Sequence, residues 1–106
     1  MRDVAFSVDV SWSDGVAVVA VRGEVDLATA PNLAAVLNQI DDTAHAALNL
    51  SAVDFMDSTG LHVVLVKAEA MRRKGGALLI SSVSQPVRQL LRYSAPDSLL
   101  AAGITG

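Results

Sequence analysis

The chain contains no cysteine and only two histidines, His45 and His62, among its 106 residues. The lack of cysteine excludes disulfides, a thiolate nucleophile and zinc held by cysteine. Two histidines are too few for a metal site built from several imidazoles. We therefore expect no metal site in this chain.

Excess positive charge and long apolar segments are also missing. The formal charge is −3 and the pI is about 5.1, so the chain lacks the basic footprint of a protein that binds nucleic acid or an anionic membrane. No apolar run approaches the roughly 20 residues that cross a bilayer, and the start of the chain lacks the apolar segment of a secretory signal. We expect a cytoplasmic protein that binds neither nucleic acid nor membrane.

The chain is rich in hydrophobic residues, at 52%, with 18% charged residues. This composition is typical of a compact domain, and the length fits one domain with a core of its own. We expect a single domain over residues 1–106, with its core at about 4–93 and a short C-terminal tail at 94–106. Leu99 and Leu100 in this tail could close the core.

Apolar residues alternate with polar ones at the start of the chain, at Val4, Phe6, Val8, Val10 and Trp12. This period of two predicts a strand with one buried face. The aspartate–glycine pair at 14–15 is typical of a turn, and the apolar run 16–21 after it predicts a strand buried on both faces. The chain therefore opens with a predicted hairpin.

Proline and glycine mark the ends of the predicted helices. Pro31 is tolerated in a first helical turn, so it places the start of the first helix near Thr29 or Ala30. The polar residues 41–43 end this helix. A second apolar stripe of helical period ends at the glycine pair 75–76.

Two further strands are predicted at residues 45–53 and 77–82, and Ser84 is a candidate cap for a third helix with Pro86 in its first turn. The resulting order is β-β-α-β-α-β-α. It predicts an α/β domain with a mixed, largely parallel sheet and helices packed mainly on one face.

Two loops, 23–31 and 54–60, lie where predicted strands end and helices begin, which is where parallel sheets bind ligands. The second loop contains the sequence DSTG at 57–60. Asp57 or Ser58 could cap the following helix, which is an ordinary role. A cap requires one such residue, however, and three polar candidates stand in a row.

The Ser58 hydroxyl has several chemical interpretations. A serine hydrolase is a remote one, because the G-x-S-x-G glycines are missing and His62 lies four residues along the same helix. A phosphoaspartate receiver lacks the acidic pair and the lysine that it needs, and no phosphate-binding G-x-x-x-x-G-K-[ST] loop is present. The sequence fits better with a Ser58 hydroxyl that another protein phosphorylates, since a residue at an exposed helix start is accessible to a kinase.

The segment NLSAVDFMDSTGLHVVL resembles the D-S-[ST]-G-L signature of anti-sigma factor antagonists, the bacterial members of the STAS domain family. The segment VRGEVDLATAPNL is similar to a second signature of the same family, G-E-[LIV]-D-x-x-[TS]-A-P. The resemblance covers roughly residues 4–93, and it implies the same order of strands and helices.

The resemblance implies a regulator that is not an enzyme. Its unphosphorylated form would bind an anti-sigma factor with a histidine-kinase-like ATPase fold and so release the sigma factor. That partner would use ATP, which this chain does not bind alone, to phosphorylate Ser58 and end the binding. A PP2C-type phosphatase would reverse the modification.

By position, the resemblance implies a partner surface formed by Asp26, Thr29, Ala30, Asp57, Ser58, Thr59, Gly60, Leu61 and His62. His62 departs from the family, which often has a small or aliphatic residue there, and it is either a plain surface residue or one that tunes partner choice or the response to pH. A non-switching STAS protein, such as a stressosome component or a transport-system subunit, is the alternative. The intact Asp57-Ser58-Thr59 sequence favours the phosphorylated class.

Overall fold

The computed structural model describes residues 5–94 of the chain. Seven elements follow one another: β1 (Ser7–Ser13), β2 (Val16–Val25), α1 (Ala30–Leu37), β3 (His45–Met56), α2 (Ser58–Arg73), β4 (Ala77–Val83) and α3 (Gln85–Ser94). The predicted order β-β-α-β-α-β-α is confirmed. Among these residues, no helix is both long enough and apolar enough to cross a membrane.

The four strands form one mixed sheet in the order β1-β2-β3-β4. β1 pairs antiparallel with β2, while β2, β3 and β4 run parallel to one another. The predicted turn between β1 and β2 is confirmed, because Asp14 and Gly15 have φ angles of 52° and 79°. The parallel arrangement brings the carboxyl ends of β2 and β3 to the same edge of the sheet, where each leads to a helix.

One face of the sheet forms the core. Its buried side chains are Ala17, Val19, Val21, Ala46, Leu48, Leu50, Leu78 and Ile80. They belong to one cluster with the buried side chains of the three helices. The opposite face is more open, since Val18 and Ala47 are half-buried and Leu79 is 38% exposed. The prediction of helices mainly on one face is confirmed, whereas the prediction that β2 is buried on both faces is wrong.

β1 does not bury the face that its alternating pattern predicts. Phe6 and Val8 are half-buried against the core, but Val10 is 40% and Trp12 is 58% exposed. β1 is the edge strand, and the helices make their main sheet contacts with β3 and β4. Among the described elements, therefore, no helix packs mainly on β1, and the half of β1 near the hairpin turn is left exposed. Val4 lies outside the described residues.

The start of α1 agrees with the prediction from Pro31, because Thr29 is the N-cap and Ala30 is the first helical residue. The helix is shorter than predicted, since it ends at Leu37 and not at 41–43. Ile40 is nevertheless buried, in the turn that follows.

Two predictions concern the C-terminal part of the chain. Ser84 precedes α3 as expected, but its hydroxyl is buried without a hydrogen-bond partner in the described part of the chain. Its predicted role as a side-chain cap is therefore wrong. The predicted contribution of Leu99 and Leu100 to the core lies outside the described residues.

A buried lysine connects α2 to the turn that follows α1. Lys67, in the middle of α2, is only 6% exposed. Its Nζ donates to the carbonyl oxygen of Ile40 at 2.5 Å and to Oδ1 of Asp42 at 2.7 Å. The ammonium group satisfies a backbone acceptor and pairs with a carboxylate, which offsets the cost of burying its charge. α2 is thereby tied to the turn after α1.

Candidate functional site

The site lies where β2 and β3 end beside each other. β3 continues to Met56, three residues beyond the predicted strand 45–53, and only Asp57 separates it from α2. The backbone N–H of Asp57 donates to the carbonyl oxygen of Val25, at the end of β2, at 3.1 Å. This bond fixes the start of α2 against β2 and makes the joint between β3 and α2 tight.

Asp57 is the N-cap of α2, as predicted. Its Oδ1 accepts from the backbone N–H of Thr59 at 2.9 Å and of Gly60 at 3.3 Å, and the Thr59 hydroxyl donates to the same oxygen. The hydrogen bond from the Thr59 hydroxyl is the main cause that holds the pKa of Asp57 below its usual value. The Asp57 carboxylate is therefore charged at neutral pH, directly beside Ser58.

Replacing Asp57 by alanine should lower the free energy of unfolding by about 1 kcal/mol at pH 7, because the cap of α2 is lost. The pKa of Asp57 is lower in the folded state than its ordinary value of 3.8. The stabilisation that the ionised Asp57 gives the folded state is therefore fully present above pH 3.8, and it is lost as the pH falls through the folded pKa. Urea unfolding of both proteins between pH 7 and pH 2 should show the difference shrinking with acid. A difference that is independent of pH would contradict this role. Asp57→Asn, which can still cap, is the control.

The hydroxyls of Ser58 and its neighbour Thr59 differ in their hydrogen bonding. Ser58 is exposed as the first residue of α2, and within residues 5–94 its hydroxyl makes no hydrogen bond. The Thr59 hydroxyl is instead engaged by Asp57. No hydrogen bond joins Ser58 to the exposed His62 in this part of the chain, so the pair lacks the contact between nucleophile and base that a serine hydrolase uses.

Gly60 and Leu61 are buried beneath the surface that Ser58 occupies. A Cβ atom on Gly60 would lie 2.5 Å from Cγ1 of Val25, so only glycine allows α2 to approach β2 so closely. Both residues hold α2 against the sheet. Among residues 58–62, the exposed ones are Ser58 and His62.

The second predicted loop, between β2 and α1, is stabilised by its own polar groups. Oδ1 of Asp26 accepts from the backbone N–H of Ala28 at 3.0 Å and of Thr29 at 3.2 Å. The Thr29 hydroxyl donates to the carbonyl oxygen of Glu24 at 2.8 Å. The side chains of Asp26 and Thr29 thus shape the loop, and this loop presents Leu27 to solvent with 76% of its surface exposed.

The two loops meet in a shallow groove of about 520 Å³ between α1 and α2. It is lined by Leu27, Ala30, Pro31, Ser58, Thr59, His62 and Val63. A smaller hollow of about 200 Å³ shares His62 and Val63 with it and continues along the helices to Val66 and Lys67. We call this continuous depression the α1–α2 groove. Ser58 stands at one end of a mainly apolar surface.

The structure brings four residues of the predicted partner surface together along the groove, namely Ala30, Ser58, Thr59 and His62. The other five do not line it: Asp26, Thr29, Asp57, Gly60 and Leu61. The sequence did not single out Leu27, Pro31, Val63 or Val66 as part of this surface. Leu27 carried one available signal, since it is a large apolar residue within a polar loop. Among residues 5–94, no three histidine, aspartate or glutamate side chains are grouped so that they could hold a metal ion.

Comparison with known proteins places this geometry in a family. The family model for the STAS domain matches residues 7–100. The chain belongs to the STAS domain family. An anti-sigma F factor antagonist of Paenibacillus polymyxa is 35% identical to this STAS domain over 86 residues, which cover 76% of the chain and 71% of the relative. An anti-sigma-B factor antagonist of Staphylococcus aureus is 33% identical over 84 residues, with 77% and 78% covered.

A solved structure of another anti-sigma factor antagonist has the same fold as this chain. The crystal structure of an anti-sigma factor antagonist from Mycobacterium paratuberculosis superimposes on this STAS domain with a TM-score of 0.80 and 28% sequence identity. The match covers 91% of this chain and 83% of the other. The expected fold and the expected family are thereby confirmed.

Proposed function

We propose that this STAS domain is an anti-sigma factor antagonist. Its unphosphorylated form binds an anti-sigma factor and thereby frees the sigma factor for transcription. Two relatives and one structural neighbour with the same fold carry this name. The apolar α1–α2 groove supports the proposal, since exposed apolar surfaces bordered by polar residues are typical of protein interaction sites.

Phosphorylation of Ser58 is the proposed switch. The observation that carries it is the exposed Ser58 hydroxyl, which makes no hydrogen bond to any other described residue. The anti-sigma factor would have a histidine-kinase-like ATPase fold and bind ATP itself. Oγ of Ser58 forms a bond to the γ-phosphorus, the bond to the β-phosphate oxygen breaks, ADP leaves and the hydroxyl proton is released. A PP2C-type phosphatase hydrolyses the ester and restores Ser58. This domain supplies no catalytic group.

The added phosphate should end binding without unfolding the domain. It carries a charge of about −1.5 to −2 at neutral pH. At the N-terminus of α2 the backbone N–H groups favour this charge, so the helix persists. Beside the ionised Asp57 and the apolar Leu27, the same charge is costly to remove from water in an interface. The partner therefore dissociates from the phosphorylated surface.

Incubation with ATP and a candidate kinase-type anti-sigma factor tests the proposal. We expect one added phosphate, which peptide mass spectrometry assigns to Ser58. The Ser58→Ala protein should remain unmodified, while Ser11→Ala, which removes an exposed hydroxyl on β1, should be modified like the wild type. A phosphate found on another residue of the wild type, with Ser58 unmodified, would contradict the assignment.

A further inference from the structure

Within the described residues 5–94, β1 has a backbone edge with no strand paired to it. It is the first strand in the order β1-β2-β3-β4, and it joins β2 through a two-residue turn closed by Ser13 and Val16. In such a hairpin the closing pair exchanges its backbone hydrogen bonds, and the pairs then alternate along the ribbon. The N–H and C=O groups of Val8, Val10 and Trp12 therefore point away from β2. We call these three residues the β1 edge.

The side chains of the β1 edge are apolar and lie on the core side of the sheet. Val8, Val10 and Trp12 stand opposite Val21, Val19 and Ala17, and residues paired across strands point to the same face. Val10 is 40% exposed and Trp12 is 58% exposed. The core face of the sheet is thus left partly uncovered along the β1 edge.

Natural proteins protect edge strands with lysine, proline, bulges or covering segments. β1 contains no lysine or proline, and its pairing with β2 is regular from Ser7 to Ser13. Asp9 is its one charged residue. Between residues 5 and 94, no hydrogen bond outside the regular elements uses a backbone group of the β1 edge. As far as residues 5–94 extend, the edge is therefore open to a further strand.

We propose that β1 pairs antiparallel with β1 of a second copy of this chain, about a twofold axis at Val10. The strand is complementary to itself in this register, because Val8 of each copy lies opposite Trp12 of the other. The two Val10 residues exchange backbone hydrogen bonds, as the outward direction of these groups requires. Asp9 lies opposite the neutral Ser11, so no like charges are directly opposed.

The expected dimer is weak and leaves the site accessible. A pair of seven-residue strands buries less than the roughly 1,200–2,000 Å² of a stable interface, so association should depend on concentration. Two four-stranded sheets would join into one, and Trp12 would lie against Val8 of the second copy. The hairpin turn and Ser58 lie at opposite ends of β2 and β3. Each copy therefore keeps its α1–α2 groove, and the inference does not depend on the proposed function.

Sedimentation of the full chain from about 10 µM to about 1 mM tests for the dimer. The sedimentation coefficient should rise with concentration, and the fluorescence of Trp12, the single tryptophan, should shift to shorter wavelength in parallel. Val10→Lys should raise the dissociation constant at least roughly tenfold. Leu79→Lys is the matched control, because Leu79 is 38% exposed on the opposite edge strand and should leave the constant unchanged.

Cross-linking tests the register, since the chain has no cysteine of its own. The Cα atoms of the two Val10 residues, as a hydrogen-bonded antiparallel pair, would lie about 5.5 Å apart, within reach of a short thiol-to-thiol cross-linker such as a bis-maleimide. The Val10→Cys protein should therefore form a covalent dimer with this reagent. The Trp12→Cys protein should not, because its two thiols would be roughly 14 Å apart.

Three results would overturn the proposal. The first is a monomer at every concentration, and the second is a dimer that Val10→Lys leaves intact. The third is cross-linking of Trp12→Cys at the rate of Val10→Cys. Circular dichroism of each variant shows whether the fold is retained, and Val10→Cys provides the readout if Val10→Lys fails to fold.

Discussion

Replacing Ser58 by glutamate should weaken binding of the anti-sigma factor by roughly thirtyfold or more. The side chain brings a negative charge to the end of the α1–α2 groove, next to the ionised Asp57. An unpaired charge in an interface costs about 2 kcal/mol or more, which corresponds to this change in affinity. Isothermal titration of the purified domain with the anti-sigma factor and ADP measures it.

Ser58→Gln separates charge from size in this experiment. Glutamine has nearly the volume of glutamate but no charge, so it should bind more tightly than the Ser58→Glu protein. Thermal unfolding should be little changed in both, because Ser58 is exposed and a carboxylate suits the first turn of a helix. Equal affinities for the two variants would show that bulk, and not electrostatics, dissociates the partner.

Replacing Gly76 by alanine should destabilise the domain by about 3 kcal/mol or more, because the new methyl group would collide with backbone atoms. Its Cβ would overlap the carbonyl oxygens of Ala44 and Asp42. The backbone N–H of Ala77 donates to the same Ala44 oxygen at 3.0 Å, so this loop cannot move away without breaking the start of the β3–β4 pairing. Urea unfolding measures the loss.

Gly75 is the matched control for this prediction. It has a φ of 91°, but a Cβ there would meet no atom within 4 Å. Gly75→Asn should therefore cost only about 1 kcal/mol, since asparagine tolerates positive φ better than other residues do. If Gly75→Asn were as damaging as Gly76→Ala, backbone conformation and not collision would explain the effect at both positions.

The sequence predicted the structure best at residues whose chemistry restricts where they can stand in a helix. Pro31 located the start of α1 because proline is tolerated in a first helical turn, and the structure places the helix start at Ala30. Asp57 was a candidate cap because a carboxylate at that position accepts from the following backbone N–H groups, and it does so. The alternation of strands and helices likewise led to the correct order.

The failures share a physical cause, which is that burial depends on neighbours that are distant in sequence. The alternating pattern of β1 is real, but the position of β1 at the edge leaves Trp12 uncovered. The sequence did not single out Lys67, which is buried because Asp42 and the carbonyl oxygen of Ile40 accept hydrogen bonds from it. No local pattern contains such contacts.

The α1–α2 groove could be predicted only in part for the same reason. The motifs located the two loops, 23–31 and 54–60, at the end of the groove where Ser58 lies. The resemblance named four of the lining residues, Ala30, Ser58, Thr59 and His62. Val63 and Val66 line the groove because of the way in which α1 packs against α2. Their spacing on α2 could not reveal this contact, since valine on a helix is equally compatible with the core.

Retention of the anti-sigma factor in the presence of ATP or ADP tests the central claim most directly. The immobilised domain is loaded with the anti-sigma factor, and the protein that remains bound is measured after either nucleotide is added. We expect the wild type to keep its partner with ADP and to release it with ATP, while Ser58→Ala keeps it with both. If the wild type retains its partner equally with both nucleotides, the domain is a non-switching scaffold and the account of Ser58 is wrong.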